Sequence, residues 1–215
     1  MADTTLTPTI KEPVTAFTQD EIVWKPWLMP IPEAEITDEQ KTAFKSAAHV
    51  KSEYFRLLAR DIPILKARSK SDQDIFYTVK TGLPRAEREL AAVAVSRKNG
   101  CIYCASVHAR FSSVYSKRKE DVNTLLEKGL AVDLAVDLAA DLAVDLGGRW
   151  NAIISASAAL TETPAVFGKT HIAALRDAGL SDLEIMDVIN CAAFFNWANR
   201  LMLSLGEPDA PEKTK

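Results

Sequence analysis

Four side chains between Glu89 and His108 have the types and spacing to activate a thiol. Cys101 and Cys104 form a C-x-x-C, His108 follows four residues after Cys104, and Glu89 lies twelve residues before Cys101. Asn99-Gly100 has the form of a helix terminator, so Cys101 opens the next helix. Cys104 then sits at i+3 and His108 at i+7 on one stripe, with Cys104 and His108 within reach at i,i+4. The unpaired amides at a helix N-terminus favour thiolate, the reactive form of cysteine. An imidazole one turn further on can accept the thiol proton. Glu89 belongs to the helix that folds back at Asn99-Gly100, so its carboxylate can orient and polarise that imidazole. Nucleophile, base and orienter are the parts that activate a weak nucleophile.

Other chemistries fit this stretch less well. Zinc would need a ligand beyond Cys101, Cys104 and His108, and no second C-x-x-C or H-x-x-x-H supplies it. Haem attachment is excluded because Ala105 follows Cys104. Cys191, inside the apolar run Val188-Ile189-Asn190-Cys191-Ala192-Ala193-Phe194, reads as a small buried hydrophobe, and His49 and His171 read as ordinary surface or core residues. No cofactor is expected.

The elements that must position these residues are helices. Thr37-Asp38-Glu39-Gln40 has capping-box form and starts a helix through about Arg60, stopped before Pro63. Asp72 to about Lys80 reads as a second, closed by Gly82, and Pro84 suits the first turn of a third, which carries Glu89. After the cysteine helix come Lys119–Lys128, Arg149–Leu160, His171–Ala178 and a long apolar helix launched by the capping box at Ser181 and running to about Leu205. Strand signals are nearly absent. The expected class is all-α, a compact bundle of about eight helices. Gly82-Leu83-Pro84 with Glu87 matches Gly179-Leu180-Ser181 with Glu184, which hints at a duplicated helix pair.

Three segments stand apart from these helices: an extended Pro/Trp-containing arm over 1–36, an AVDL tandem repeat over 131–146 inserted in the helical domain of 37–206, and a flexible tail over 207–215. In the arm, Trp24 and Trp27 act as apolar anchors against the body. Read as a strand, the repeat alternates Val/Leu with Ala/Asp in a half-buried pattern; Ala and Leu propensity favours helix, although its four aspartates then repel at i,i+4.

Composition narrows the partners. The chain has 215 residues, 26 Lys+Arg and 29 Asp+Glu, for a formal charge of −3, the wrong sign for phosphate backbones. No apolar stretch approaches the ~18 residues of a membrane span and no export signal is seen. The expectations are therefore a cytoplasmic protein, no nucleic-acid partner and no membrane partner. A C-x-x-C in a reducing compartment points to redox or metal chemistry.

On these residues the sequence resembles the alkyl hydroperoxidase D-like and carboxymuconolactone decarboxylase-like superfamily, in its peroxidase-related branch. The resemblance rests on Glu89, Cys101, Cys104 and His108 at E-x11-C-x-x-C-x-x-x-H spacing, with Ser96-Arg97 before them. It extends through Leu160-Thr161-Glu162-Thr163-Pro164, Ala178-Gly179-Leu180-Ser181 and Phe194-Phe195-Asn196-Trp197-Ala198-Asn199-Arg200-Leu201. It implies that Cys104 attacks the peroxide, deprotonated through His108 with Glu89 completing the relay. Cys101 would be the more accessible resolving cysteine, forming a disulfide that an external dithiol, thioredoxin-like or lipoyl-bearing, reduces. Tyr103 stands where the best-known peroxidases have a relay histidine, and a phenol does not shuttle protons readily near neutral pH. The resemblance further implies a homo-oligomer. Lactone decarboxylation and a non-catalytic redox-sensing or metal-binding oligomer are the alternative readings.

Overall fold

The computed structural model describes residues 5–77, 80–129 and 145–211. Among them are ten α-helices and one two-stranded sheet. The arm carries β1 (Val23–Pro26) and a 3-10 turn at Glu33–Glu35, followed by three short helices, α1 (Asp38–Lys41), α2 (Ala47–Lys51) and α3 (Glu53–Leu58). Then come α4 (Ile62–Phe76), α5 (Arg85–Lys98), α6 (Ile102–Ser116), α7 (Lys119–Lys128), α8 (Gly148–Thr161), α9 (Lys169–Asp177), α10 (Asp182–Leu205) and β2 (Gly206–Asp209). The all-α class holds. Most of the AVDL repeat, residues 131–144, lies outside the described residues.

Local chemistry explains where the sequence expectations held and where they did not. The capping box at Thr37 forms, with Thr37 Oγ1 accepting from the Gln40 amide and Gln40 Oε1 accepting from the Thr37 amide. The single helix expected to run on to Arg60 is instead three. Ser46 and Ser52 are both extended and each caps a new start, accepting from the His49 and Phe55 amides, because serine offers the backbone a competing partner. The helix expected from Asp72 begins ten residues earlier. Asp61 caps the Ile64 amide and Pro63 sits in the first turn, where its missing N–H costs nothing. That helix ends at Phe76, short of the expected Lys80.

The core is organised around α5, which packs against α6, α8 and α10. Leu90, Ala91, Ala92, Val93 and Val95 are fully buried, so the helix is surrounded rather than half-covered; each buried Leu or Val stabilises by about 1.5–3 kcal/mol. On α10, Val188, Cys191, Ala192, Phe195 and Ala198 face this core. A smaller cluster of Ile31, Ile36, Ala43, Ala59 and Leu65 fastens the arm and the short helices to α4.

The two matching Gly-Leu turns share a partner. Gly82 and Gly179 both have left-handed φ, +77° and +84°, a conformation that favours glycine. Arg149 of α8 binds Glu87 through Nε and Nη2 and Glu184 through Nη2 at 2.6 Å. One guanidinium thus ties together the starts of α5 and α10.

The arm is held by the chain end that was expected to be a loose tail. β1 pairs antiparallel with β2, Val23 opposite Asp209 and Pro26 opposite Gly206. Trp24 is buried and its indole N–H donates to the Met202 carbonyl. Gly206 lies so close to the Trp24 ring that a Cβ there would come within 2.4 Å of Cζ2. Both tryptophans pack within the chain, Trp27 donating from its indole to Glu207 at 2.9 Å.

Candidate active site

The turn between α5 and α6 builds the site. Gly100 takes φ +76°, its amide donates to the Arg97 carbonyl, and the Cys101 amide donates to Ser96. This paired closure is a Schellman motif, and it delivers Cys101 directly to the N-cap of α6. The chain reverses, α6 packs along α5, and Glu89 meets His108.

Glu89 is fully buried. Its Oε1 accepts from Nε and Nη2 of Arg85, each at 2.5 Å, and its Oε2 lies 2.5 Å from His108 Nδ1. Arg85 Nη1 donates to the Phe76 carbonyl. A carboxylate against Nδ1 fixes the proton on that nitrogen and leaves Nε2 as the acceptor. Phe195 meets the imidazole edge-on at 4.3 Å and Phe76 stacks at 5.3 Å, so the ring is held by packing as well as by Glu89.

The cysteines are both free and both buried. The sequence expectation that Cys101 is the more accessible does not hold: Cys101 is 2% exposed and Cys104 is 7%. Cys101 sits beneath the turn, against Asn199 of α10, whereas Cys104 lines a cavity of about 200 Å³ that also admits His108, Glu89 and Tyr103. Cys104 and His108 share this cavity without a direct hydrogen bond among the described residues.

The helix N-terminus does not favour thiolate at both positions. Cys101 is drawn below the ordinary thiol range, first by the Cys104 thiol beside it and, against the cost of burial, by the Cys104 amide and Asn199. Cys104 is pushed well above that range because its S–H serves Cys101 and because it is buried; Asn199 and the positive charge of Arg68 pull the other way. Of the two thiols, Cys101 is therefore the one that ionises more readily. Tyr103 is raised by burial and stays a neutral phenol at the cavity wall.

The sequence reading brought Glu89, Cys101, Cys104, His108 and Tyr103 to one place, and the structure does the same. It adds three residues. Arg85 stands four before Glu89, a helical ion-pair spacing visible in the sequence. Asn199 is a fully buried polar residue in an apolar helix; it donates to Ser96 Oγ and accepts from Asn99. Arg68 enters from α4 and had no local signal. Elsewhere, Cys191 is a core residue whose thiol donates to the Arg88 carbonyl, and His171 caps Gly168. His49 lines the cavity edge, stacked on Phe55 at 3.7 Å. No three His, Cys, Asp or Glu side chains among the described residues gather as a metal site, and no helix among them is long and apolar enough to cross a membrane.

Residues 63–145 match the carboxymuconolactone decarboxylase family model. A search of curated proteins returns no match. Among solved structures, an uncharacterized peroxidase-related protein from Silicibacter sp. TM1040 is 23% identical with a TM-score of 0.64, covering 85% of this chain and 92% of its own. A second, described as an alkylhydroperoxidase AhpD core from Ralstonia eutropha JMP134, is 22% identical with a TM-score of 0.63, covering 81% and 87%. The debrominase Bmp8 is 14% identical with a TM-score of 0.62, covering 82% and 88%. At these identities the three likenesses establish the fold.

Proposed function

We propose that this chain, whose residues 63–145 match the carboxymuconolactone decarboxylase family model, belongs to the alkyl hydroperoxidase D-like and carboxymuconolactone decarboxylase-like superfamily and reduces organic hydroperoxides through a Cys101–Cys104 dithiol/disulfide cycle. The observation that carries the reading is the opening of Cys104 onto a cavity beside an imidazole held by a buried carboxylate. Histidine alone would be a common wall residue; histidine fixed by Glu89, itself fixed by Arg85, is positioned machinery.

In this cycle Cys104 gives its proton to His108 Nε2, which lines the same cavity, and its sulfur attacks the terminal peroxide oxygen. An S–O bond forms and the O–O bond breaks. The alcohol leaves with the proton from His108, and Cys104 is oxidised to sulfenic acid. Cys101, the more readily ionised thiol of the pair, attacks the Cys104 sulfur as thiolate, and hydroxide departs to be protonated as water. An external dithiol, thioredoxin-like or lipoyl-bearing, then reduces the disulfide by exchange and is oxidised to its own disulfide. The burial of Cys101 implies that the turn around Gly100 opens for this step.

The test is hydroperoxide consumption with dithiothreitol as reductant. Wild type should turn over and Cys104→Ser should be inactive; with dithiothreitol left out, Cys101→Ser should consume about one equivalent and hold a sulfenic acid that dimedone captures. No consumption by the wild type, or full activity in Cys104→Ser, would refute the cycle.

A further inference from the structure

The cavity contains two arginines, and they are in opposite conditions. Arg85 has all three guanidinium nitrogens engaged, by Glu89 and the Phe76 carbonyl. Arg68 is just as enclosed, its side chain 9% exposed, yet Nε and Nη1 find no hydrogen-bond acceptor among the described residues. The nearest carboxylate oxygen, Asp72 Oδ1, stands 3.9 Å from Nη1, beyond hydrogen-bond range. Aromatic rings of Phe55 and Phe194 lie 5.1 and 5.6 Å from the guanidinium carbon and hold it in place without satisfying its N–H groups. Tyr54 shares the cavity wall beside Arg68, and its buried hydroxyl interacts with that guanidinium but makes no well-formed hydrogen bond.

Buried donors of a permanent charge are retained when something accepts from them. We propose that this cavity takes a compact, largely apolar molecule by a single carboxylate, which Arg68 and Tyr54 receive while the body packs toward Cys104. The rest of the wall, with Phe76, Val107, Phe111 and Phe195, suits an apolar body. Glu89 and Asp72 share the cavity and oppose a doubly charged ligand, which favours carboxylate over phosphate. The guanidinium provides donors in the planar arrangement that carboxylates match. The proposal rests on the cavity being the substrate site and deepens that reading: the preferred hydroperoxide carries a carboxylate at the end remote from its O–O bond.

Benzoate and its neutral counterpart benzamide, titrated by calorimetry into the reduced full-length chain, test the proposal without using thiol chemistry. Benzoate should bind at least about tenfold tighter than benzamide, Arg68→Gln should abolish that preference, and Tyr54→Phe should weaken benzoate by about threefold to tenfold. Equal affinities, no benzoate binding at millimolar concentration, or a preference that survives in Arg68→Gln overturns it. If Arg68→Gln does not fold, the wild-type ratio and Tyr54→Phe still decide. Benzoate binding by a protein that consumes no hydroperoxide upholds the carboxylate site and refutes the peroxidase reading alone.

Discussion

Glu89 Oε2 stands 2.5 Å from His108 Nδ1, and the other oxygen of the same carboxylate is taken up by Arg85. Every lone-pair direction that matters on Glu89 is therefore spoken for in an interior with no exposure. The residue cannot be a solvated helix face, the ordinary role of glutamate. Its placement depends on the Schellman closure at Gly100, which sets the register of α6 on α5.

Glu89→Gln tests that relationship. The amide can accept from one neighbour only by turning its NH2 toward the other, so a donor faces either Arg85 or His108. Hydroperoxide turnover should fall by about 10- to 100-fold. An unchanged rate would mean that Glu89 only packs.

Cys101 should be the first thiol to ionise. Thiolate ultraviolet absorbance in the reduced protein should appear below the usual ~8.5, vanish at low pH in Cys101→Ser, and shift upward in Cys104→Ser, which lacks the neighbouring S–H. The linkage has a definite sign. A depressed thiol stabilises the fold fully above its unfolded pKa, and that contribution is lost as pH falls through the lower folded value. If Cys104→Ser leaves the titration in place, the pair is not coupled as described.

How much of this was legible in the sequence follows from the range of each interaction. The α5–α6 hairpin and its four chemical residues could be read because Asn99-Gly100, the C-x-x-C and the i,i+4 histidine are local signals. The start of α4 was obscured by Pro63, which breaks a helix in most positions and fits one in its first turn. Which cysteine ionises more readily was not readable: it depends on Asn199, nearly a hundred residues away, and on one thiol serving the other. Arg68 was equally silent, since its meaning lies in the acceptors it lacks in space. β2 escaped notice because a four-residue strand containing Gly206 and Pro208 has no alternating pattern to detect.

Tyr103 should contribute little to proton transfer. Burial raises its phenol, so near neutral pH it neither gives nor takes a proton readily. Tyr103→Phe should change hydroperoxide turnover by less than about threefold, whereas a tenfold loss in kcat at unchanged KM would restore it to the relay.

Arg149 should matter to stability and not to chemistry. It bridges Glu87 and Glu184, whose side chains are 11% and 17% exposed, so Arg149→Met leaves two mostly buried carboxylates without their cation. The expected cost is about 2–3 kcal/mol of unfolding free energy, read from denaturant melts, with the Cys101 titration unmoved. A loss below about 0.5 kcal/mol would class the bridge with exposed surface pairs.

The arm and the chain end should separate at acid pH. Asp209 is enclosed by backbone amides, its carboxylate accepting from Glu12 at 3.0 Å, Lys11 at 3.2 Å and Ala210 at 2.8 Å. The Glu12 amide is the largest influence holding its carboxyl below the usual range, with Lys11 and Ala210 adding to it. The stabilisation is thus complete above the unfolded value of ~3.9 and disappears as pH falls through the lower folded one. Asp209→Asn should imitate the acid state at neutral pH, because the amide places a donor among donors. Limited proteolysis should then cut within residues 11–28 of the variant faster than in the wild type, and Trp24 fluorescence should shift to the red as β1 loses β2. Equal cutting rates in both proteins would show that Trp24 packing, and not the Asp209 cap, holds the arm.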